Sequence, residues 1–366
     1  MRPVYALFFL APLVAEFLLG DFVVSSLLIL LILAPMYGGG ALLVRESVRR
    51  TGRGRPAMVL LALAFGVFEE GLVTESLFNP HYAGEHLLAS GYVPALGIAV
   101  PWTVYVLSLH TIWSISTPIE LVEEATPGRR TRPWLRRRGM VVCTVLWLIG
   151  CLAVYAVSWS NGHYSAPGSR SVGALVVVIG LVVLAWLLPK PAAPATSSPS
   201  GPPAAGVAPS GAAPSEVAPS EVAPAGGAVP VRGVGAASPA AWVVFLVAVL
   251  AGAGFMLGWH LAAVPATVVM LAMLVIVAAL AAFGSARPGW GPWHRFALAA
   301  AAVVTYGWHS FTTHPVQRGG PIMTPLSHCV FAIMAVVLLL VVARRIRRPE
   351  AGAAAEPSPA DLTATV

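Results

Sequence analysis

The chain alternates long apolar runs with short polar breaks, and the length of the runs is the first clue to its fold. A helix rising about 1.5 Å per residue needs roughly 20 mainly apolar residues to cross a hydrocarbon core about 30 Å thick. Ten runs approach that length: residues 4–19, 22–43, 58–77, 100–119, 140–159, 171–188, 241–259, 264–283, 296–311 and 325–342. In lipid every backbone N–H and C=O must be bonded within its own segment, so such runs read as helices rather than strands. The sequence therefore predicts an all-α, polytopic helical membrane protein with about ten transmembrane helices. Only Gly20 and Asp21 separate the first two runs, which predicts a tight hairpin. With no small-x-small site before Asp21, the first run is expected to be retained rather than cleaved as a signal peptide.

The polar breaks set the orientation. With the N-terminus inside, 20 of the 22 Lys and Arg fall in the inner breaks, leaving only Arg170 and Arg318 outside. Cytoplasmic loops accumulate basic residues, so both termini are expected in the cytoplasm of a prokaryote, with the chain multi-pass in its plasma membrane. The stretches RESVRRTGRGRP and RRTRPWLRRRG are expected to lie at the interface and hold anionic lipid headgroups. Residues 189–240 hold 12 Pro in 52 residues, including APSEVAPSEVAPAG. That composition buries too little apolar surface to offset chain entropy and predicts a disordered cytoplasmic linker. The organisation expected is a six-helix membrane domain (1–188), the linker (189–240), a four-helix membrane domain (241–343) and a disordered tail (344–366).

Composition agrees with the pattern. The 366 residues are 57% hydrophobic and 10% charged, with a net charge of +7, whereas soluble domains carry roughly 25% charged residues. The surplus of positive charge belongs to the membrane interface, and no folded basic–aromatic patch suggests nucleic acid. Protein partners are not legible. Three cysteines, all within runs and without a CxxC, read as packing residues.

Ionisable groups inside spans are expensive and tend to mark function. The third run contains FGVFEEGLVTESLFNP, and the fourth contains PWTVYVLSLHTIWSISTPIELVE. Counting from Phe78 and from Trp102 places Glu70 and His110 at the same depth of about 12 Å on consecutive antiparallel helices, where they could meet. His110 falls on a stripe with Thr103, Leu107, Ser114 and Thr117, which is polar enough to face an interior. Ala62, Gly66, Glu70 and Thr74 form a row of small residues suited to close helix approach. Glu69 lies about 100° round from Glu70, so the two carboxylates are expected to reach different neighbours. Glu75 lies near the outer surface and is expected to be solvated. Glu16, in the short first run, joins Glu69, Glu70 and His110 as a relay candidate, with Ser114, His309 and His328 as further proton-relay or binding candidates.

An EE pair in one transmembrane helix followed by a His in the next resembles the glutamate-dependent intramembrane protease superfamily, which includes bacterial CPBP (type II CAAX-processing-like) and PrsW-like proteins. The resemblance covers roughly residues 58–119. It implies that Glu69 activates water, Glu70 supports it, and His110 contributes to the oxyanion or water site. Thr74 stands where the EExxxR pattern of that superfamily has Arg, and Val106 stands where its FxxxH pattern has Phe. YGGGALLVRE, FEEGLVTESLFNP and SIxxPIELVE together also resemble an uncharacterised family of prokaryotic polytopic membrane proteins.

Three functions stay open: an intramembrane hydrolase, a proton-coupled transporter using the same carboxylates, and a non-catalytic scaffold or receptor. In the last, the glutamates would serve only as interhelical packing bonds. His81, His86, His163, His260, His309, His314 and His328 fall on or near the outer side, but without HxxxH or HExxH spacing they read as loop and interface histidines. No P-loop, GxSxG or dinucleotide fingerprint is present, and no cofactor or metal is expected.

Overall fold

A computed structural model describes residues 2–191, 237–313, 315–316 and 320–348. Among them the chain forms ten helical rods: α1 Pro3–Phe17, α2 Val24–Arg50, α3 Arg55–Val73, α4 (100–124), α5 Arg137–Gly162, α6 Gly168–Leu187, α7 Ala241–Gly258, α8 Ala263–Ser285, α9 Pro292–His309 and α10 Gly320–Arg347. Seven of these, α2, α3, α5, α6, α7, α8 and α10, are long and apolar enough to cross a membrane. The one sheet among the described residues is a two-stranded hairpin, β1 Tyr92–Val93 and β2 Ile98–Ala99, in the loop between α3 and α4.

Local chemistry explains several boundaries. Pro56, Pro101 and Pro292 each lie in the first turn of a helix, where the missing N–H has no intrahelical partner to lose. Residues 344–347, expected in the tail, belong to α10, which continues through Arg347. Most of the expected linker, 192–236, lies outside the described residues, as does the chain beyond 348.

One hydrophobic core runs through both halves of the chain. Helix α4 is the hinge of the packing: Trp113 stacks on Tyr306 of α9 at 4.9 Å, its indole N–H donates to the Ala302 carbonyl at 2.8 Å, and Tyr105 stacks on Trp259 at the end of α7 at 4.7 Å. Near the α1–α2 hairpin the Val24 N–H donates to Ser327 Oγ of α10 at 3.0 Å, and Phe17 meets Phe331. By contrast α5, α6 and α8 expose rows of Val, Leu and Ile along their lengths, a surface suited to acyl chains.

The arginine-rich end is held by ion pairs rather than left open. Arg45, Glu46 and Glu123 are fully buried. Arg45 Nε donates to Glu123 at 3.0 Å, its guanidinium reaches the carbonyls of Arg130 and Arg132, and it lies over the Trp134 ring at 3.4 Å. Arg49 completes a pair with Glu123, Arg55 donates twice to Glu120, and Arg295 of α9 donates to Glu124 at 2.6 Å. Two arginines of RESVRRTGRGRP are thus paired inside the protein. Arg45 and Arg49 face inward because the acidic run PIELVEE ends α4 at the same level and supplies their counter-charges.

Candidate functional site

Four helices are locally underwound to the i→i−5 pattern, and the polar cluster sits in those four turns. They are Leu13–Phe17 in α1, Ala34–Gly38 in α2, Glu69–Val73 in α3 and Leu109–Ser116 in α4. Their side chains include Glu16, Tyr37, Glu69 with Glu70, and His110, respectively. Such π turns widen the helix by one residue and recur at functional sites. Here the widening has a local effect: Glu69 and Glu70, adjacent in sequence, both reach His110. That corrects the expectation of different neighbours, which assumed an undisturbed α-helical rotation of about 100° per residue.

His110 lies between the two acids. Its Nε2 is 2.6 Å from Glu70 Oε1, and its Nδ1 is 3.0 Å from Glu69 Oε2. Glu70 Oε2 accepts hydrogen bonds from the hydroxyls of Ser76 and Thr74, the latter at 3.0 Å. Ser114 Oγ is 3.4 Å from His110 Nδ1. The imidazole also stacks on Tyr37, with ring centroids 5.9 Å apart and planes 10° apart. Close approach of α3 and α4 depends on Gly66, where an added Cβ would sit 3.0 Å from the His110 Cβ. The row of small residues on α3 thus does what its spacing suggests.

Tyr37 extends the chain of polar contacts. Its hydroxyl is 2.5 Å from Glu16 Oε1 and 2.6 Å from Glu69 Oε1. A phenol has one proton, so it donates to one acid and must accept from the other. At those two distances the pair Glu16 and Glu69 therefore shares a carboxyl proton in addition to the phenolic one. The result is a continuous sequence, Glu16–Tyr37–Glu69–His110–Glu70–Thr74/Ser76, across four helices. Every member is buried except Glu16, which is half-buried. Glu69 Oε2 is one of the buried polar atoms without a well-formed hydrogen bond, its nearest ionisable neighbour being His110 Nδ1 at 3.0 Å.

Glu69, Glu70 and His110 each offer a ligand atom within 4.8 Å of the others, a spacing a transition metal could share. The imidazole, however, turns one nitrogen to each acid, and an imidazolium held between two carboxylates accounts for the same distances. Among the described residues no group of three outer histidines comes close enough to share an ion. His314 lies outside the described residues.

Of the residues singled out from the sequence, Glu16, Glu69, Glu70, His110 and Ser114 come together. His309 does not join them; its Nε2 lies 3.3 Å from the Tyr105 hydroxyl. His328 is buried against Phe311, with ring centroids 5.6 Å apart. Glu75 is buried rather than solvated, because its Oε2 accepts the Ala166 N–H at 3.0 Å. Tyr37 and Ser76 were not legible as site residues. Tyr37 is one aromatic in an apolar run, and only the neighbouring Pro35 and Gly38–Gly40 hinted at irregular winding.

No curated protein and no solved structure matches the chain. A family model does, over residues 6–349, which takes in all ten rods apart from the first three residues of α1. Nothing in that match extends the resemblance to intramembrane proteases. The chain belongs to an uncharacterized membrane protein family.

Proposed function

We propose that this integral membrane protein conducts protons through the buried chain from Glu16 to Glu70. The observation that carries the reading is the unbroken contact sequence through Tyr37 and His110. Each member can give and take a proton, and chains of Glu and His within membranes serve such relays. A proton delivered to Glu16 passes to Glu69 through Tyr37, which releases its own proton as it accepts another. Imidazolium at His110 then exchanges with either acid, and Glu70, held by Ser76 and Thr74, forms the far end. Ten crossings with both termini in the cytoplasm, in a prokaryotic plasma membrane, complete the proposal.

Purified protein in liposomes carrying an internal pH dye tests it. An imposed pH gradient is expected to dissipate faster than in empty liposomes, and Glu69→Gln or His110→Ala is expected to remove the difference while leaving the protein folded. Gradient decay at the empty-liposome rate with the unmodified chain would sink the proposal.

A second reading rests on the unbonded Glu69 Oε2. A water donating to that oxygen from beside the His110 contact, not from between the two groups, would be activated by Glu69 as general base for attack on a substrate carbonyl, as in intramembrane hydrolysis. The reading requires cleavage of a membrane-embedded peptide or lipid-linked substrate that Glu69→Gln abolishes. If the Glu69, Glu70 and His110 variants lose only thermal stability, the cluster is packing glue in a scaffold and both chemical readings fall.

A further inference from the structure

At the arginine-poor end the α3–α4 loop, the α5–α6 loop and the start of α6 line an open cavity of about 420 Å³. Pockets of roughly 300–1,000 Å³ suit small molecules. Phe78, Tyr92 and Tyr164 supply aromatic walls, and His81, His86 and Arg170 supply the polar ones; no carboxylate lines the cavity.

Arg170 is the cation that faces the cavity. Arg45, Arg49, Arg55, Arg130 and Arg295 at the other end have carboxylate partners within 4.0 Å. Among the described residues Arg170 has none; its Nη2 lies 3.4 Å from the Tyr92 hydroxyl, and its guanidinium also acts on the Tyr164 hydroxyl. It is also one of just two basic side chains that the sequence pattern assigns to this side, so topology does not call for it. The backbone nevertheless makes room for it. Gly97 has φ +70, and a Cβ there would overlap the guanidinium.

The cavity wall is fixed independently of any ligand. The Tyr164 hydroxyl donates to the Phe78 carbonyl at 2.8 Å. Burial pushes that hydroxyl above its ordinary pKa, even against the opposing influence of the Arg170 guanidinium, so it stays a donor. Arg170 itself lies in the first turn of the 20-residue α6, whose N–H groups add positive potential on the same side.

We propose that this cavity binds a small organic carboxylate with an apolar body, the carboxylate on Arg170 and the body among Phe78, Tyr92 and Tyr164. Guanidinium and carboxylate match as a planar, two-pronged pair, and the aromatic walls favour a ligand with an apolar portion over a bare inorganic anion. Binding needs no proton movement, so this site stands or falls apart from the relay.

Benzoate is a suitable probe, with benzyl alcohol as its uncharged counterpart and inorganic phosphate as the bare anion. Calorimetric titration of the full-length protein in lipid nanodiscs is expected to show saturable benzoate binding. Arg170→Gln is expected to weaken it about tenfold or more, the usual scale for losing a charged hydrogen bond. Arg170→Lys should retain part of the affinity, and Gly97→Ala should weaken binding by displacing a guanidinium it does not itself contact through a side chain. Benzyl alcohol should bind more weakly and respond to neither Arg170 variant. No saturable binding, or equal benzoate affinity in the folded Arg170→Gln protein, overturns the proposal. Phosphate binding more tightly than benzoate overturns the assignment of an apolar body.

Discussion

Tyr37 holds two acids with one proton of its own. Replacing it by Phe keeps the ring stacked on His110 and removes only the hydroxyl. The oxygens of Glu16 and Glu69 then lose a shared partner, which costs about 1–3 kcal/mol when a buried polar group is left unsatisfied. Tyr37→Phe is therefore expected to lower the unfolding temperature modestly and to stop gradient dissipation, a split read by thermal unfolding and dye-based flux on the same preparation. Arg45 offers the opposite case. It is fully buried with Glu46 and Glu123 and far from the acids of the relay along α2. Removing one partner of a buried ion pair costs about 3–5 kcal/mol because a charge is stranded. Arg45→Ala should give the larger loss of stability, visible as poor recovery of folded protein, and Glu123→Gln should go the same way by a smaller amount.

Helices bring these residues together, and here the sequence is readable in part. The apolar runs, the matching depth of Glu70 and His110, and the small row through Gly66 follow from length and periodicity. The four π turns do not, because one extra residue per turn leaves no compositional trace and shifts every later side chain by about 100°. That shift is why Glu69 reaches His110, and why Tyr37 could not be found by counting. Burial of Glu75 was equally hidden, since its partner is a backbone N–H 91 residues away. The contact of Gly66 with His110 gives an element-scale prediction. Gly66→Leu must push α3 from α4, and overpacking of this kind costs about 1–3 kcal/mol. It should separate Glu70 from His110 and abolish flux, while Gly66→Ala, with one methyl to place, should lower flux less.

At the scale of the whole molecule, the two halves of the chain share α4 as a common surface. Trp113, Tyr105 and Glu124 on that helix meet Tyr306, Trp259 and Arg295 from the later helices. None of these contacts involves residues 192–236. Residues 1–191 and 237–366 expressed as separate chains are therefore expected to co-purify, and Trp113→Ala should weaken that association by removing an indole stack and its hydrogen bond to Ala302. Recovery of each half alone in the unmodified pair would contradict the shared core.

The four π turns also have a mechanical meaning. In each, backbone carbonyls are bonded one residue further along than in an α-helix, so a small slip can return the turn to ordinary pitch and rotate the side chains beyond it. Four neighbouring helices loosened around a single polar cluster make a compliant layer between two stiffer ends, one clamped by arginine–glutamate pairs and the other braced by the α3–α4 loop. Strain applied to the bundle collects in that layer, where a change of pitch re-aims Glu16, Tyr37, Glu69 and His110 together.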